Sequence, residues 1–265
     1  MKLSPPETPA KDEIPSYSEA APSYTAFRTS FASVSLHRSD RIRLLQFPSS
    51  EIPAIRDIIK YSWPFGIQSE RPYAASFEFK LRGNPWRGQG SEAIPARILM
   101  REIFAHLFRL GWILHVSTDA SKKEFDKDTM IFRKQQHPPP DSDWISISFN
   151  MTDRMRLIGA SQDLIADVRV LLQQMNLLQS ESWKEQRLQA WEFKIHGRPW
   201  RAMGEETMTT RLLLLKLLET LEAKGWSLYA SVDQSMAAGD HVSETDSWYC
   251  VRDKSWVQGS AVFHR

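Results

Sequence analysis

The chain has 265 residues, of which 42% are hydrophobic and 25% charged, and its formal net charge is +2 at pH 7. These fractions are typical of a globular protein, and the near balance of charge argues against bulk nucleic acid or an anionic membrane surface as a partner. The single cysteine, Cys250, excludes an intrachain disulfide and a zinc site built from cysteines. No apolar run approaches a membrane span in length, so we predict a cytoplasmic protein, with the nucleus as the alternative.

The beginning of the chain differs in composition from the rest. Residues 1–25 are rich in proline, serine and glutamate and poor in aliphatic side chains. Such a segment buries too little apolar surface to offset its chain entropy, so we predict a disordered tail. Its Ser-Pro and Pro-Ser-Tyr sequences favour phosphorylation or recognition by a partner, with an ordinary tail as the simpler interpretation.

Two copies of one long pattern fill the remainder. The run S-V-S-L-H-R-S-D-R-I-R-L-L begins at Ser33, and S-I-S-F-N-M-T-D-R-M-R-L-I begins at Ser146. Further along, F-E-F-K-L-R-G-N-P-W-R in the first copy becomes W-E-F-K-I-H-G-R-P-W-R in the second. The repeat predicts one module over residues 26–137 and another over 138–259, and the proline run at their boundary is typical of a stiff spacer.

Each copy opens in the same way. Two short runs that alternate apolar and polar residues flank a turn, which predicts a β-hairpin. An apolar stripe at helical spacing follows, over residues 52–59 in the first copy and 165–172 in the second. The stripe predicts a helix that faces a core, and Ser50 and Ser161 are the expected N-caps.

The second half of each copy begins with a looser segment, over residues 61–75 and 176–188. It leads to the F-E-F-K or W-E-F-K strand, then to a long helix over about 93–110 and 207–224. In the second copy this helix is apolar most of the way round, which predicts the central buried helix of the protein. A Gly-Trp pair ends the helix and opens a further strand, and the final strands align Met-Ile-Phe-Arg with Tyr-Cys-Val-Arg.

These elements predict an α+β fold made of two tandem ββαβαββ modules. Strands joined mostly by hairpins favour an antiparallel or mixed sheet with the helices on one face. Two such modules in one chain can pack about a pseudo-twofold axis, as the subunits of a homodimer would.

The repeated G-x-P-W-R-x-x-G loop is the first candidate site. Glycines before a helix can present backbone N–H groups to an anion, with Arg87 and Arg201 assisting and Trp86 and Trp200 beside them. The structural alternative is that glycine allows the turn, proline stiffens it and tryptophan packs on the sheet.

A basic strip on the hairpins is the second candidate. Arg41 and Arg43 in the first copy, and Arg154 and Arg156 in the second, point outward from their strands because they alternate with apolar residues. The strip could meet phosphate or an acidic partner, or it could be a solvated face.

Other chemistry-bearing residues are sparse. Glu78 and Glu192 recur beside lysines, which is compatible with acid–base chemistry but more typical of cross-strand ion pairs. His115 and His196 each lack a histidine counterpart in the other copy, and Cys250 is expected to be a small buried residue. The sequence therefore predicts no catalytic residue, metal site or cofactor.

Three tryptophans lie outside the matched strands. Trp63, Trp183 and Trp256 have no counterpart in the repeat. They are candidates for an exposed patch or for the rim of a pocket, in contrast to the recurring tryptophans, which are expected to anchor the core.

The W-E-F-K-x-x-G-x-P-W pattern, the R-x-x-L-L helix and the G-W strand resemble a family of duplicated proteins that is common in fungi. The resemblance covers roughly residues 30 to 255 and implies no activity, ligand or catalytic residue.

Three hypotheses about function follow from the sequence. The first is a non-enzymatic adaptor whose two modules present a surface to a protein partner. The second is a binder of a small apolar molecule or lipid, with a tryptophan-lined pocket inside or between the modules. The third is an enzyme with one site at the module interface, for which His196 and Glu192 would have to meet in a cleft.

Overall fold

A computed structural model gives the fold. It describes residues 28–88, 90–118, 126–233 and 246–262. The tail predicted over residues 1–25 lies outside the described residues.

The first module forms a six-stranded antiparallel sheet, here called the first sheet, with the order β3-β4-β2-β1-β6-β5. Its elements are β1 (Phe31–His37), β2 (Arg41–Leu45), α1 (Ile52–Ser62), β3 (Ile67–Tyr73), β4 (Ser76–Leu81), α2 (Ala93–Arg109), β5 (Trp112–Thr118) and β6 (Asp126–Lys134). Alternate residues of β1 are buried, as the period of two predicts.

The second module repeats this topology in the second sheet, with the order β11-β12-β7-β8-β10-β9. Its elements are β7 (Ser142–Asn150), β8 (Arg154–Ile158), α3 (Gln162–Gln174), β9 (Leu178–Glu185), β10 (Ala190–Ile195), α4 (Glu206–Glu222), β11 (Ser227–Val232) and β12 (Ser247–Asp253). The predicted α+β class and the two tandem modules are thereby confirmed.

Each module contains one strand more than the sequence indicated. The looser segments are β3 and β9, edge strands that extend the sheets beyond β4 and β10. Nearly all residues of β3 are exposed, so an apolar alternation is missing from its sequence. Edge strands of this kind form through backbone hydrogen bonds to a neighbour, which periodicity does not reveal.

The pairing of the last strands corrects the alignment of the two copies by one residue. Val34 of β1 pairs with Met130, whereas its counterpart Ile147 pairs with Trp248. Met130 therefore corresponds to Trp248, and the match of Met-Ile-Phe-Arg with Tyr-Cys-Val-Arg is wrong. A shift of one residue would place every side chain of β6 or β12 on the opposite face of its sheet.

Helix α2 lies between the two sheets. Its Phe104 ring is 4.9 Å from Tyr249 of the second sheet, and its Phe108 ring is 5.3 Å from Trp144. The same Phe104 ring is 6.2 Å from Phe132 of the first sheet. The layers therefore run first sheet, α1 and α2, second sheet, α3 and α4.

This stacking is head to tail, since the helices of one module cover the open sheet face of the other. It differs from the pseudo-twofold packing expected from the sequence, in which α4 would cover the first sheet in return. The physical reason is that the aromatic residues Phe104 and Phe108 of α2 pack on Tyr249 and Trp144 of the second sheet, which leaves α4 on the far side of that sheet, away from the first.

The second sheet is consequently buried on both faces. Five successive residues of β7, residues 145–149, are buried. Ile145 and Ile147 face α3 and α4, while Ser146 and Ser148 are enclosed on the side that α2 covers. Small serines at the centre of this face let the helix approach the sheet closely.

The prediction that the long helix of the second copy is the central one is wrong. Helix α4 forms the outermost layer, and its Met208, Leu212 and Leu215 are 60%, 48% and 58% exposed. The buried central helix is α2. A helix that is apolar all round has two faces that need partners. The described part of the chain covers only one of these faces in α4.

The two predicted N-caps have different outcomes. Ser161 caps α3, since its hydroxyl accepts a hydrogen bond from the Leu164 N–H at 3.3 Å. Ser50 instead lies in a short 3₁₀ turn that runs into α1, whose N-cap is Glu51. The Glu51 carboxylate accepts a hydrogen bond from the indole N–H of Trp112 at 2.8 Å, which ties the start of α1 to β5.

Candidate functional site

A cavity of about 230 Å³ lies at the junction of the two modules. Phe108 at the end of α2 and Leu114 of β5 contribute its wall from the first module, and Leu228 and Tyr229 of β11 contribute it from the second. The linker, β12 and the segment that follows β12 complete the lining, and the largest side chain of that segment is Trp256. We call this space the junction cavity, and its lining agrees with the prediction that Trp256 borders a pocket.

The segment after β12, residues 254–262, closes one side of the junction cavity. Its start is fixed to the linker between the modules, because the Lys254 N–H donates to the Asp141 carbonyl at 3.0 Å. The Trp256 indole N–H donates to the Ser260 carbonyl at 3.1 Å, which folds the segment back on itself. The tryptophan ring is thereby held as a wall.

Gly225 provides the surface against which Trp256 lies. Its φ of +80° is a conformation that glycine adopts without steric cost, and a Cβ there would lie 2.3 Å from Trp256 Cδ2. The corresponding Gly111 also has a φ of +80°, but its Cβ would lie 3.6 Å from Pro138 Cα, an ordinary contact. Gly225 therefore has a role in the cavity that Gly111 lacks.

Tyr229, one of the lining residues of the junction cavity, carries a hydroxyl group. Its hydroxyl oxygen accepts a hydrogen bond from the Leu114 N–H at 2.7 Å. Burial raises the pKa of Tyr229 above its ordinary value, and this effect exceeds the opposing effect of that hydrogen bond. The phenol therefore stays protonated and can donate its hydrogen to an acceptor. Besides apolar side chains, the lining contains Ser142, Ser227, Asp253 and Ser255. The cavity therefore suits a small molecule with an apolar body and at least one acceptor.

The repeated G-x-P-W-R loops are tied to the hairpins. The Trp86 indole N–H donates to the Arg41 carbonyl at 2.9 Å, and Trp200 donates to the Arg154 carbonyl at 2.8 Å. Trp86 is fully buried and Trp200 is half-buried, in agreement with the structural interpretation of these tryptophans.

The neighbouring Arg87 and Arg201 are exposed. In the first loop, a carboxylate of the chain itself takes a position that an anion could use, since the Asn84 N–H donates to Glu92 Oε2 at 2.9 Å. In the second loop, the space beside Gly197 is open. Contact of either loop with a ligand or partner stays a prediction.

The basic strip is largely compensated by carboxylates. In the first module Arg41 and Arg43 each lie 2.8 Å from Glu78, and Arg71 lies 3.1 Å from it. Burial raises the pKa of Glu78, but the hydrogen bond from Arg43 and the charges of Arg41 and Arg43 outweigh it, so that the pKa is lowered. Glu78 thus stabilises the arginines as an ion-pair centre, which fits the interpretation of cross-strand ion pairs.

The second module repeats this arrangement. Glu192 lies 3.0 Å from Arg154 and 2.7 Å from Arg156. Arg156 is buried, because α2 covers this face of the second sheet. Arg41, Arg43 and Arg154 remain partly exposed, and their contact with a phosphate or an acidic partner stays a prediction.

Replacing Glu78 with glutamine is expected to lower the free energy of unfolding at pH 7 by about 1–3 kcal/mol, because it removes charge-assisted hydrogen bonds. The lowered pKa means that this stability is present above the ordinary value of 4.5 and is lost as the pH falls through the folded-state pKa. The difference between variant and wild type should therefore shrink in acid. Urea unfolding at several pH values measures it.

Glu70→Gln is the control for that experiment. Glu70 pairs with Arg56 at 2.7 Å, and both side chains are partly exposed, at 36% and 26%, whereas Glu78 is buried. Such a pair contributes at most about 1 kcal/mol. An equal loss in the two variants, or a Glu78→Gln difference that grows as the pH falls, would contradict the role given to Glu78.

The residues that the enzyme hypothesis requires do not meet. His196 is exposed, whereas Glu192 is buried beside its two arginines. His115 is exposed and its ring lies 5.6 Å from the ring of Phe31. Cys250 is fully buried, and burial raises the pKa of its thiol to about 12, which keeps it from acting as a thiolate nucleophile.

The three unmatched tryptophans have three different environments. Trp63 is fully buried and its indole N–H donates to the Arg82 carbonyl at 2.9 Å, so its prediction as an exposed residue is wrong. Trp183 is half-buried on the edge strand β9, with its ring 4.9 Å from Trp191. Only Trp256 borders the junction cavity.

A second depression, of about 490 Å³, lies between α3 and α4. Its rim is charged, and Lys216 pairs with Glu219 at 2.7 Å while Lys224 pairs with Asp167 at 2.9 Å. Because these charges compensate one another at the surface, the depression offers an apolar ligand less than the junction cavity does.

Within the described part of the chain, no group of three or more His, Cys, Asp or Glu side chains could hold a metal ion. In the same residues, no helix has both the length and the apolar character needed to cross a membrane.

The model of one domain family matches the chain twice, over residues 30–133 and 143–251. These matches cover more than half of the chain, so the protein belongs to that family and carries two copies of its domain. No curated protein and no solved structure shows significant similarity to the chain.

Proposed function

We propose that the protein is a non-enzymatic binding protein that holds a small apolar molecule in the junction cavity. The observation that carries the proposal is the cavity itself, whose walls come from both modules and from residues 254–262, which follow β12. Pockets at the boundary between structural units are the usual places for small ligands.

The size of the cavity narrows the ligand class. An apolar cavity of about 150 Å³ accepts benzene, and drug-sized ligands occupy roughly 300–1,000 Å³. A space of about 230 Å³ therefore suits a molecule larger than benzene and smaller than a typical drug. The phenol of Tyr229 favours a ligand with a carbonyl or ether oxygen, because an acceptor would take up its hydrogen.

A titration with toluene and acetophenone, followed by amide NMR shifts of the full chain, tests this proposal. Both probes are expected to shift the amides of Leu114, Gly225 and Leu228, with acetophenone binding more tightly because its carbonyl can accept from Tyr229. Ala261→Trp, in the cavity wall, should abolish the shifts by filling the space. Val257→Ala, in the same segment but outside the lining, should leave them unchanged.

Absence of shifts around the cavity with either probe would overturn the proposal. So would binding that Ala261→Trp leaves intact, because the probes would then occupy another site.

A protein partner, as in the adaptor hypothesis, is a second candidate. The exposed apolar residues of α4 favour it, since contiguous apolar surface on a soluble protein marks interaction sites. The tail over residues 1–25 is part of this candidate as a regulated motif. Pull-downs with the full chain, with a chain that lacks the tail and with an α4 variant distinguish binding through the tail from binding through α4.

We also propose a cytoplasmic location and, from the resemblance to duplicated fungal proteins, a fungal source. The one cysteine of the chain is buried and reduced, which is compatible with a compartment where disulfides are rare. Fluorescence microscopy of the tagged full chain distinguishes cytoplasm from nucleus.

A further inference from the structure

We propose that the protein associates with copies of itself head to tail, with α4 of one copy on the open face of the first sheet of the next. The contact would repeat the one that α2 makes with the second sheet inside each chain. Each chain thus contains one interface of this kind that is already formed, between α2 and the second sheet. It also has the two surfaces that a further interface needs, namely α4 and the open face of the first sheet.

The interface that is already formed shows what the helix contributes. Ile94 and Ile98 of α2 pack against Ile158 and Ala190 at one end of the contact. Next to them, the fully buried Arg97 donates from Nε to the Ser247 hydroxyl at 3.1 Å. Phe104 completes the contact through Tyr229 and Tyr249.

Helix α4 carries the same kind of surface, here called the α4 face. When the helices are aligned on Gly111 and Gly225, the docking positions Ile94, Arg97, Ile98, Arg101 and Phe104 correspond to Met208, Arg211, Leu212, Leu215 and Leu218. The first four of these α4 residues are exposed. Apolar character and one arginine are therefore retained on a helix face that no sheet covers among the described residues of the chain.

The second sheet shows what receives the helix. Strand pairing places four residues side by side in one row across four strands, namely Ile158, Ser146, Tyr249 and Ala230. All of them are buried. The row lies on the side of the sheet that α2 covers.

The first sheet has the same row at the same register, here called the outer row. It consists of Leu45, Ser33, Ile131 and Val116, paired in the same order. Leu45 is 37% exposed and Val116 is 43% exposed. The outer row is thus an apolar strip on an open sheet face, at the place where its counterpart receives a helix.

The two interfaces differ at the end of the helix, and the change on the helix is matched by a change on the sheet. At the end of α2, Phe108 contacts Trp144 and Tyr229 of the second sheet. The corresponding residue of α4 is the acidic Glu222.

On the first sheet, the corresponding surface contains Phe31 and the bulge residue His115, with Arg133 paired beside Phe31. The contact within the chain is aromatic at this point. In the proposed contact between copies, the acidic Glu222 at the end of α4 would lie opposite the basic residues His115 and Arg133. Charge complementarity of this kind fixes partner and register.

The occupant that fits both open faces is a second copy of this chain. An interface that joins two different surfaces of one protein is heterologous, and it yields an open chain or a ring rather than a closed dimer. The wild type is therefore expected to form a series of larger species as its concentration rises.

Sedimentation velocity of the full chain, together with two blocked variants, tests this inference. Leu212→Glu/Leu215→Glu blocks the α4 face, and Leu45→Glu/Val116→Glu blocks the outer row. Each variant alone should stay monomeric at concentrations where the wild type assembles. An equimolar mixture of the two should form a dimer and nothing larger, because only one intact pair of faces remains.

Three further variants serve as controls for this experiment. Tyr61→Glu places a charge on the exposed surface of α1, away from both faces, and should assemble as the wild type does. Glu222→Lys should weaken assembly at least about tenfold, and Arg133→Glu should restore it in a mixture of the two variants. Circular dichroism confirms that each variant is folded.

Three results would overturn the inference. The wild type could remain monomeric at every concentration. The outer-row variant could assemble alone, which would indicate a symmetric contact between two α4 faces. The mixture of blocked variants could fail to form a dimer although the wild type assembles.

Discussion

Phe104→Ala is expected to lower the free energy of unfolding by about 3–5 kcal/mol, the usual cost of truncating a buried phenylalanine. The Phe104 side chain is fully buried, and its ring lies within 6.2 Å of Phe132 in the first sheet and 4.9 Å of Tyr249 in the second. The cavity left by the truncation would open between both modules, so both should become less stable. Urea unfolding followed by circular dichroism measures the loss.

Leu218→Ala is the matched control for Phe104→Ala. It removes a side chain from the same position of the second module, where α4 has solvent on its other side. Leu218 is only partly buried, so its truncation should cost less than about 2 kcal/mol. A loss as large as that of Phe104→Ala would contradict the order of layers described above.

Gly225→Ala should be the second most damaging change, with a cost of about 2–4 kcal/mol. About 1–2 kcal/mol arises because alanine is strained at a positive φ. The remainder arises because the new Cβ would lie 2.3 Å from Trp256 Cδ2 and must displace the ring. Displacement of Trp256 removes a wall of the junction cavity, so probe binding should weaken as well.

Gly111→Ala separates these two contributions. The φ of Gly111 is the same, +80°, but the Cβ would make only an ordinary contact at 3.6 Å with Pro138. It should therefore show the backbone cost alone and leave probe binding unchanged. Equal losses of stability and binding in the two variants would show that Trp256 does not lie on Gly225.

The repeat made the strands and helices of this protein predictable, because the same periodicity appeared twice. The hairpins and the apolar stripes of α1 and α3 were recognisable from spacing alone. The edge strand β3 was not, since nearly all its residues are exposed and give no alternation. The pairing of Val34 with Met130 also escaped, because two neighbouring alignments of the last strand look equally good as sequence.

The role of α4 shows a physical limit of such reasoning. An apolar circumference indicates that a helix has two faces to cover, but not whether the second partner is its own chain or another molecule. The same limit applies to the site. The junction cavity is assembled from Phe108, Tyr229 and Trp256, which are distant in sequence, and only the stacking of the modules brings them together.

The most direct test of a binding cavity between stacked modules is a crystal of the full chain pressurised with xenon, which enters apolar cavities of this size. We predict a xenon atom in the junction cavity, among Phe108, Leu228 and Trp256. A crystal in which side chains fill this space, or in which xenon binds elsewhere and leaves it empty, would contradict a binding cavity between the modules.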